Sequence, residues 1–205
     1  MPRLEMIENA DEAAIAAWFA QRLRAALATS PEIAVTVPGG STPFPIFDRL
    51  VREDLSWERV SIWPGDDRMV NEDHPASNIG RIRARFEPLG ATTVALSEDA
   101  QPPHFAIAWL GMGADGHVAS LFPNTDPKAN DSWPVRRLTP DPLPPEAPFD
   151  RLSLTIPALT DSDEIVFVIR GPEKRATFEA AADGKHDLPV ARLLRAARHK
   201  VTCFC

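Results

Sequence analysis

The chain has 205 residues, 44% of them hydrophobic and 25% charged, and a formal net charge of −7. That length suits one sizeable hydrophobic core and is long for two, so a single domain over residues 1–205 is expected. The acidic balance argues against a nucleic-acid partner, whose phosphates reward a basic surface. No apolar run reaches the ~20 residues that span a bilayer, which argues against a membrane partner.

The opening string MPRLEMIENADEAA holds no long apolar core of the kind a secretory signal needs, so a cytoplasmic protein is expected. Residues 11–28 follow helical spacing, with Ile15, Trp18, Phe19, Arg22 and Leu23 on one face and the arginine stem lying along it. IAVTV (33–37) reads as a buried strand that runs into PGGSTP, and residues 43–53 read as the next helix. VSIWP (60–64) is a second strand ending in GDDR; residues 77–87 look helical, and a short strand is expected at 93–96. FAIAWLG (105–111) is a third strand running into GMGADGH, and VASLF (118–122) is expected to begin a short helix stopped by Pro123.

Residues 123–150 carry eight prolines, at 123, 127, 134, 140, 142, 144, 145 and 148, and can hold neither a long helix nor a central strand. They read as an ordered surface excursion. RLSLTI (151–156) alternates as a half-buried strand, EIVFVIR (164–170) is a buried one, 172–182 and 189–198 are helices, and VTCFC (201–205) is a final strand. Its Cys203 and Cys205 form no disulfide framework and, with His199 nearby, match no metal-ligand spacing; they read as apolar strand residues.

Strands alternating with helices predict an α/β fold, a mostly parallel sheet flanked by helices in the Rossmann manner. Ligands of such sheets bind outside the carboxyl ends of the strands. Three polar, glycine-containing segments fall there. Gly39, Gly40, Ser41 and Thr42 open a helix, where free N–H groups and two hydroxyls favour an anion. The segment lacks the lysine of a Walker loop and the spacing of a dinucleotide fingerprint. Asp66, Asp67 and Arg68 follow the second strand: the arginine can clamp a phosphate, and the carboxylates can orient a hydroxyl or a histidine. Ser77 and Asn78 are candidates for a helix cap or a ligand contact. Gly111, Gly113, Asp115, Gly116 and His117 make the third segment, with His117, at the expected helix start, as the proton acceptor and Asp115 able to fix its tautomer. His74 is a second candidate, while His104, His186 and His199 read as surface residues.

With these loops assembled, the chain resembles the 6-phosphogluconolactonase family. The strings that carry the resemblance are VPGGSTPF, WPGDDRMV followed by HPASN, LGMGADGHVASLFP and RLSLTIPALTDSDEIVFVIRGPEKR, which together span most of residues 33–182. The resemblance implies a fold like that of glucosamine-6-phosphate deaminase and hydrolysis of a phosphorylated sugar lactone in the oxidative pentose phosphate pathway. It implies no metal and no organic cofactor and a small-molecule substrate; a monomer or weak homodimer is expected. It makes His117 the general base, and gives the phosphate pocket to Gly39, Gly40, Ser41, Thr42, Arg68, Arg151 and Lys174, with Asp66, Asn78 and Gly113 also at the site. N–H groups of the 113–118 turn are expected to steady the developing oxyanion.

The sequence departs from the family pattern at Asp67, where glutamate is usual, at Val118, where threonine is usual, in a short 94–105 segment, and at VTCFC, beyond which relatives often continue. A deaminase or isomerase of the same superfamily carries an FNEP-like string after the histidine, where this chain has SLFP. A non-catalytic sugar-phosphate sensor would have no use for Asp115 and His117. A Ser–His–Asp hydrolase would need a G-x-S-x-G elbow, which is missing from the sequence.

Overall fold

The computed structural model describes residues 3–143, 145 and 147–205; of the prolines in the 123–150 excursion, Pro144 lies outside the described residues. In chain order the elements are β1 (Leu4–Ile7), α1 (Glu12–Thr29), β2 (Ile33–Val37), α2 (Pro43–Leu50), β3 (Val60–Pro64), β4 (Asp66–Arg68), α3 (Asn78–Phe86), β5 (Thr92–Thr93), β6 (Ile107–Leu110), β7 (Val135–Leu138), β8 (Arg151–Leu154), α4 (Ile156–Thr160), β9 (Glu164–Val168), α5 (Pro172–Ala182), α6 (Pro189–Ala196) and β10 (Lys200–Phe204). Seven strands form a parallel sheet in the order β1-β10-β9-β6-β2-β3-β5. The expected α/β architecture is therefore present.

The central strands are predominantly apolar because both faces of the sheet are covered. Side chains alternate between the two cores: Ile107 and Trp109 face α1–α3, whereas Ala108 and Leu110 face α4–α6. Trp109 anchors the first core, stacked on Phe19 at 4.5 Å and edge-on to Phe47 at 5.0 Å. Asp11 starts α1 by accepting a hydrogen bond from the Ala14 N–H at 2.8 Å.

Chain order along the sheet reverses between β2 and β6, so a crevice opens there at the carboxyl ends. A smaller antiparallel sheet, β4-β8-β7, overhangs that end. The link is Gly65, whose N–H donates to Val37 O and whose carbonyl accepts from the Leu154 N–H, both at 2.9 Å.

Several expectations are corrected. The Asp66–Arg68 segment is a strand, paired with β8, and not a loop. The strand expected at 93–96 is the two residues of β5, and β1 and α4 went unpredicted. Most consequentially, residues 118–122 form no helix. Val118 bridges Met112 and Leu121, the Leu121 N–H closes a turn onto Val118 O at 2.9 Å, and Ala119 sits at φ +52°. A segment this short before Pro123 gains too little from helix nucleation to resist those contacts. Among the described residues, the proline-rich excursion holds a short 3-10 turn, Pro123–Thr125, and an edge strand, β7, as its composition requires. Among the described residues, no helix is long and apolar enough to cross a membrane.

Candidate active site

A cleft of about 340 Å³ occupies the crevice at the carboxyl ends of β2, β3 and β6. The segment after β2 brings Gly39, Gly40, Ser41 and Thr42 to its wall. Thr42 makes no side-chain cap for α2, and Pro43 opens the helix. The first-turn donors of α2 therefore have no capping side chain, the arrangement that suits an anion. Gly39 is required by close approach: a Cβ there would lie 1.9 Å from Asn78 Oδ1.

Asn78 is buried and works as an organiser. Its Nδ2 donates to Asp66 O at 2.8 Å, and its Oδ1 lies 3.4 Å from Arg68 Nη1. The two neighbouring aspartates, side by side in sequence, face opposite ways. Asp67 is buried and accepts from the N–H groups of Arg68, Asn78 and Ile79 at 2.8, 2.6 and 2.9 Å, capping α3 from outside its own turn. Burial pushes its carboxyl above the usual range, against those backbone hydrogen bonds. Asp66 instead lines the cleft, with Ser120 Oγ donating to its Oδ2 at 2.5 Å.

Arg68 and Arg151 stand opposite each other across β4 and β8. Arg68 Nη1 donates to Ala76 O at 2.8 Å, while its buried Nε has no partner among the described residues. Arg151 is only 3% exposed and donates to the carbonyls of Ala147 and Phe149. Burial, and next the charge of Arg68, lower its pKa. The strand expected over 151–156 ends at Leu154, and Arg151 and Ser153 are buried along with Leu154 while only Leu152 is half-buried. Lys174, from the first turn of α5, joins the same wall and has no carboxylate partner among the described residues. Adjacent like charges cost stability unless an anion is shared between them.

Gly113 and His117 close the cleft from the β6 side. His117 Nδ1 lies 2.6 Å from Asp115 Oδ1, and its ring lies against Phe122 with centroids 4.6 Å apart. The hydrogen bond from His117 holds the Asp115 carboxyl below its usual range. Gly113 is the second glycine required by proximity, since a Cβ would fall 2.2 Å from His117 Cε1. Because no helix starts here, no helix dipole acts on His117; Asp115 and Phe122 hold it instead. The N–H groups of Gly113, Gly116 and His117 are engaged within the turn, so these three do not face a ligand as expected.

The predicted site residues line the cleft except Asp67, Ser77, Asp115 and Gly116, of which Asp115 reaches it through His117. His74 does not line it; its Nδ1 accepts from the Ala76 N–H at 3.0 Å. His104 and His199 are exposed, whereas His186 is half-buried and bonds Thr177 O at 3.1 Å. Sequence reasoning missed Ser120 as the partner of Asp66 and Phe122 as the wall behind His117, contacts that depend on the turn at Ala119. A wider hollow of about 420 Å³ lies at the amino ends of β2 and β3 and holds none of the predicted site residues. Among the described residues, no three His, Cys, Asp or Glu side chains converge to hold a metal ion.

The profile of glucosamine-6-phosphate isomerases/6-phosphogluconolactonase matches residues 8–91 and 89–203. A 6-phosphogluconolactonase of Helicobacter pylori is 33% identical over 91% of this chain and 89% of its own length. One of Pseudomonas aeruginosa is 35% identical over 89% of this chain and 86% of its own. In fold, the chain superposes on a 6-phosphogluconolactonase of Thermotoga maritima with a TM-score of 0.82 at 23% identity, covering 100% of this chain and 99% of the other. It superposes on a monomeric glucosamine-6-phosphate deaminase with a TM-score of 0.76 at 17% identity, covering 98% and 96%, which bears out the expected likeness of fold.

Proposed function

The chain belongs to the glucosamine-6-phosphate isomerase/6-phosphogluconolactonase family, and on that premise we propose that it hydrolyses 6-phospho-D-glucono-1,5-lactone to 6-phosphogluconate in the oxidative pentose phosphate pathway. One observation carries the reading: a histidine held by a carboxylate, His117 on Asp115, opens into the same cleft as three cationic side chains, Arg68, Arg151 and Lys174.

The substrate phosphate binds between the Gly39–Thr42 segment and those cations, which offer charge-assisted hydrogen bonds to its oxygens. The lactone ring then lies towards His117. Asp115 accepts the hydrogen bond of Nδ1–H, which leaves Nε2 as the proton acceptor. His117 removes a proton from water as that water attacks the lactone carbonyl. The tetrahedral intermediate collapses with cleavage of the bond to the ring oxygen, and the imidazolium returns its proton to that oxygen. The new carboxylic acid ionises in solution. General acid–base help of this kind is worth about 10²–10⁴-fold. The whole chain serves the reaction as one domain, with a small phosphosugar as its partner.

Phe122 favours this reaction over the deaminase, because it packs against His117 at the position where an FNEP-like string would place its glutamate. The test generates the lactone with glucose-6-phosphate dehydrogenase and follows its disappearance against the spontaneous rate. Acceleration by the wild type that is lost in His117→Ala supports the reading. No acceleration by folded wild-type protein overturns it, and ammonia release from glucosamine 6-phosphate replaces it with the deaminase.

A further inference from the structure

Asp66 is an acidic group in a cleft built for an anion. Its side chain accepts hydrogen bonds and donates none when ionised. Beside a phosphate it would repel, so its use must lie with the neutral, hydroxyl-bearing part of the substrate. The carboxylate is held on one side only. Ser120 Oγ donates to Oδ2 at 2.5 Å, while Oδ1 has no partner among the described residues and is not buried. The backbone of Asp66 is fixed by its pairing with Ser153 and by Asn78 Nδ2 on its carbonyl.

Ser120 is fixed in turn. It is 1% exposed, and its N–H donates to Ser153 Oγ at 3.2 Å. Ser153 Oγ donates onward to Leu154 O at 3.0 Å. The preceding residue, Ala119, adopts φ +52°, a conformation L residues rarely take. That turn is what aims Ser120 at Asp66 and not into a helix. The hydroxyl proton of Ser120 is directed at Asp66.

We propose that Ser120 is a positioning residue that locks the Asp66 carboxylate against a ring hydroxyl of the substrate, so that the Ser120–Asp66 pair selects hydroxylated sugar lactones. The proposal rests on the lactonase reading and adds to it the residue that sets substrate selectivity. With Oδ2 tied to Ser120, Oδ1 is presented at one place and angle. Without that tie, the carboxylate rotates about its own bond and discriminates less.

The experiment compares kcat/KM for 6-phosphogluconolactone with the values for its 2-deoxy, 3-deoxy and 4-epimeric counterparts, in the wild type, Ser120→Ala, Asp66→Asn and the double variant. A thermal melt confirms that each variant is folded. The expected result is that Ser120→Ala weakens selectivity against at least one counterpart by about tenfold, mostly through KM, as loss of a hydrogen bond to a charged group implies. Adding Ser120→Ala to Asp66→Asn then changes selectivity little, because both act through one carboxylate. A merely structural role for Ser120 would lower all four substrates equally, and that result overturns the proposal. So does full additivity of the two substitutions. Failure of the wild type to hydrolyse any lactone overturns the functional reading and this inference with it; hydrolysis with unchanged selectivity in Ser120→Ala overturns this inference alone.

Discussion

His117 and Asp115 are separated by one residue, and the hydrogen bond between Nδ1 and Oδ1 spans 2.6 Å. A single glycine, Gly116, allows the chain to double back this tightly. The pairing decides which of the three nearby aspartates orients the histidine: Asp66 is turned to the cleft and Asp67 to the backbone of α3. Asp115→Ala is expected to lower kcat by about tenfold or more, short of the 10²–10⁴-fold that general acid–base help typically supplies, and to leave KM close to that of the wild type. Steady-state kinetics in the coupled assay measure both. An unchanged kcat would mean that Phe122 and Gly113 suffice to hold the ring.

Asp67 is expected to matter for stability in the first place. Three N–H groups converge on its carboxylate, two of them from the start of α3. Asp67→Ala leaves buried donors without an acceptor and is expected to cost about 2 kcal/mol or more in denaturant unfolding. Arg68 is the next residue, so phosphate affinity should weaken as well. A variant as stable as the wild type would show that water replaces the carboxylate.

The parallel sheet was legible because its inner strands, such as IAVTV and EIVFV, are apolar but for Thr36 and Glu164, as two covered faces demand. The three loops were legible because glycine and charge gather where those strands end. What stayed hidden depends on contacts between distant segments. Leu4–Ile7 is a strand only because β10 lies beside it, and Asp66–Arg68 only because β8 does. Nothing local separates Asp66 from Asp67; their opposite duties appear when Ser120 arrives from one side and α3 from the other. The apolar string VASLF carried a helical pattern that the pull of Met112, Asp66 and His117 on its residues overrides.

Two glycine substitutions should separate binding from turnover. In Gly113→Ala the new Cβ would fall 2.2 Å from His117 Cε1 and 2.3 Å from Nδ1, so the ring must swing away from its place. The expected loss is in kcat. In Gly39→Ala the clash is with the Asn78 amide, which sits between Asp66 and Arg68. There the expected loss is in KM, because the phosphate segment and Arg68 move apart. Kinetics on both variants check the split. Equal effects on kcat and KM in both would argue against separate binding and proton-transfer walls.

His104 gives a pH dependence that should leave catalysis alone. Its Nδ1 lies 2.7 Å from Asp161 Oδ1 and its Nε2 3.1 Å from Asp163 Oδ1. Both ring nitrogens can donate only in the imidazolium form. The hydrogen bond to Asp161, more than the one to Asp163, raises the pKa above its ordinary 6.5. A folded-state pKa above the unfolded one means that the charged clamp stabilises fully below about pH 6.5 and that this contribution is lost as pH rises through the raised value. The clamp ties the segment before β6 to the segment before β9, where Phe105 bridges Ser162. It is half-exposed and therefore weak and sensitive to salt. His104→Gln should lower Tm more at about pH 6 than at about pH 9, and about 1 M salt should shrink the difference at the lower pH. Lactone hydrolysis should match the wild type at both, since the clamp stands at the amino edge of the sheet, away from the cleft. An equal loss of Tm at the two pH values would show that packing of the ring, not its charge, is what the clamp contributes.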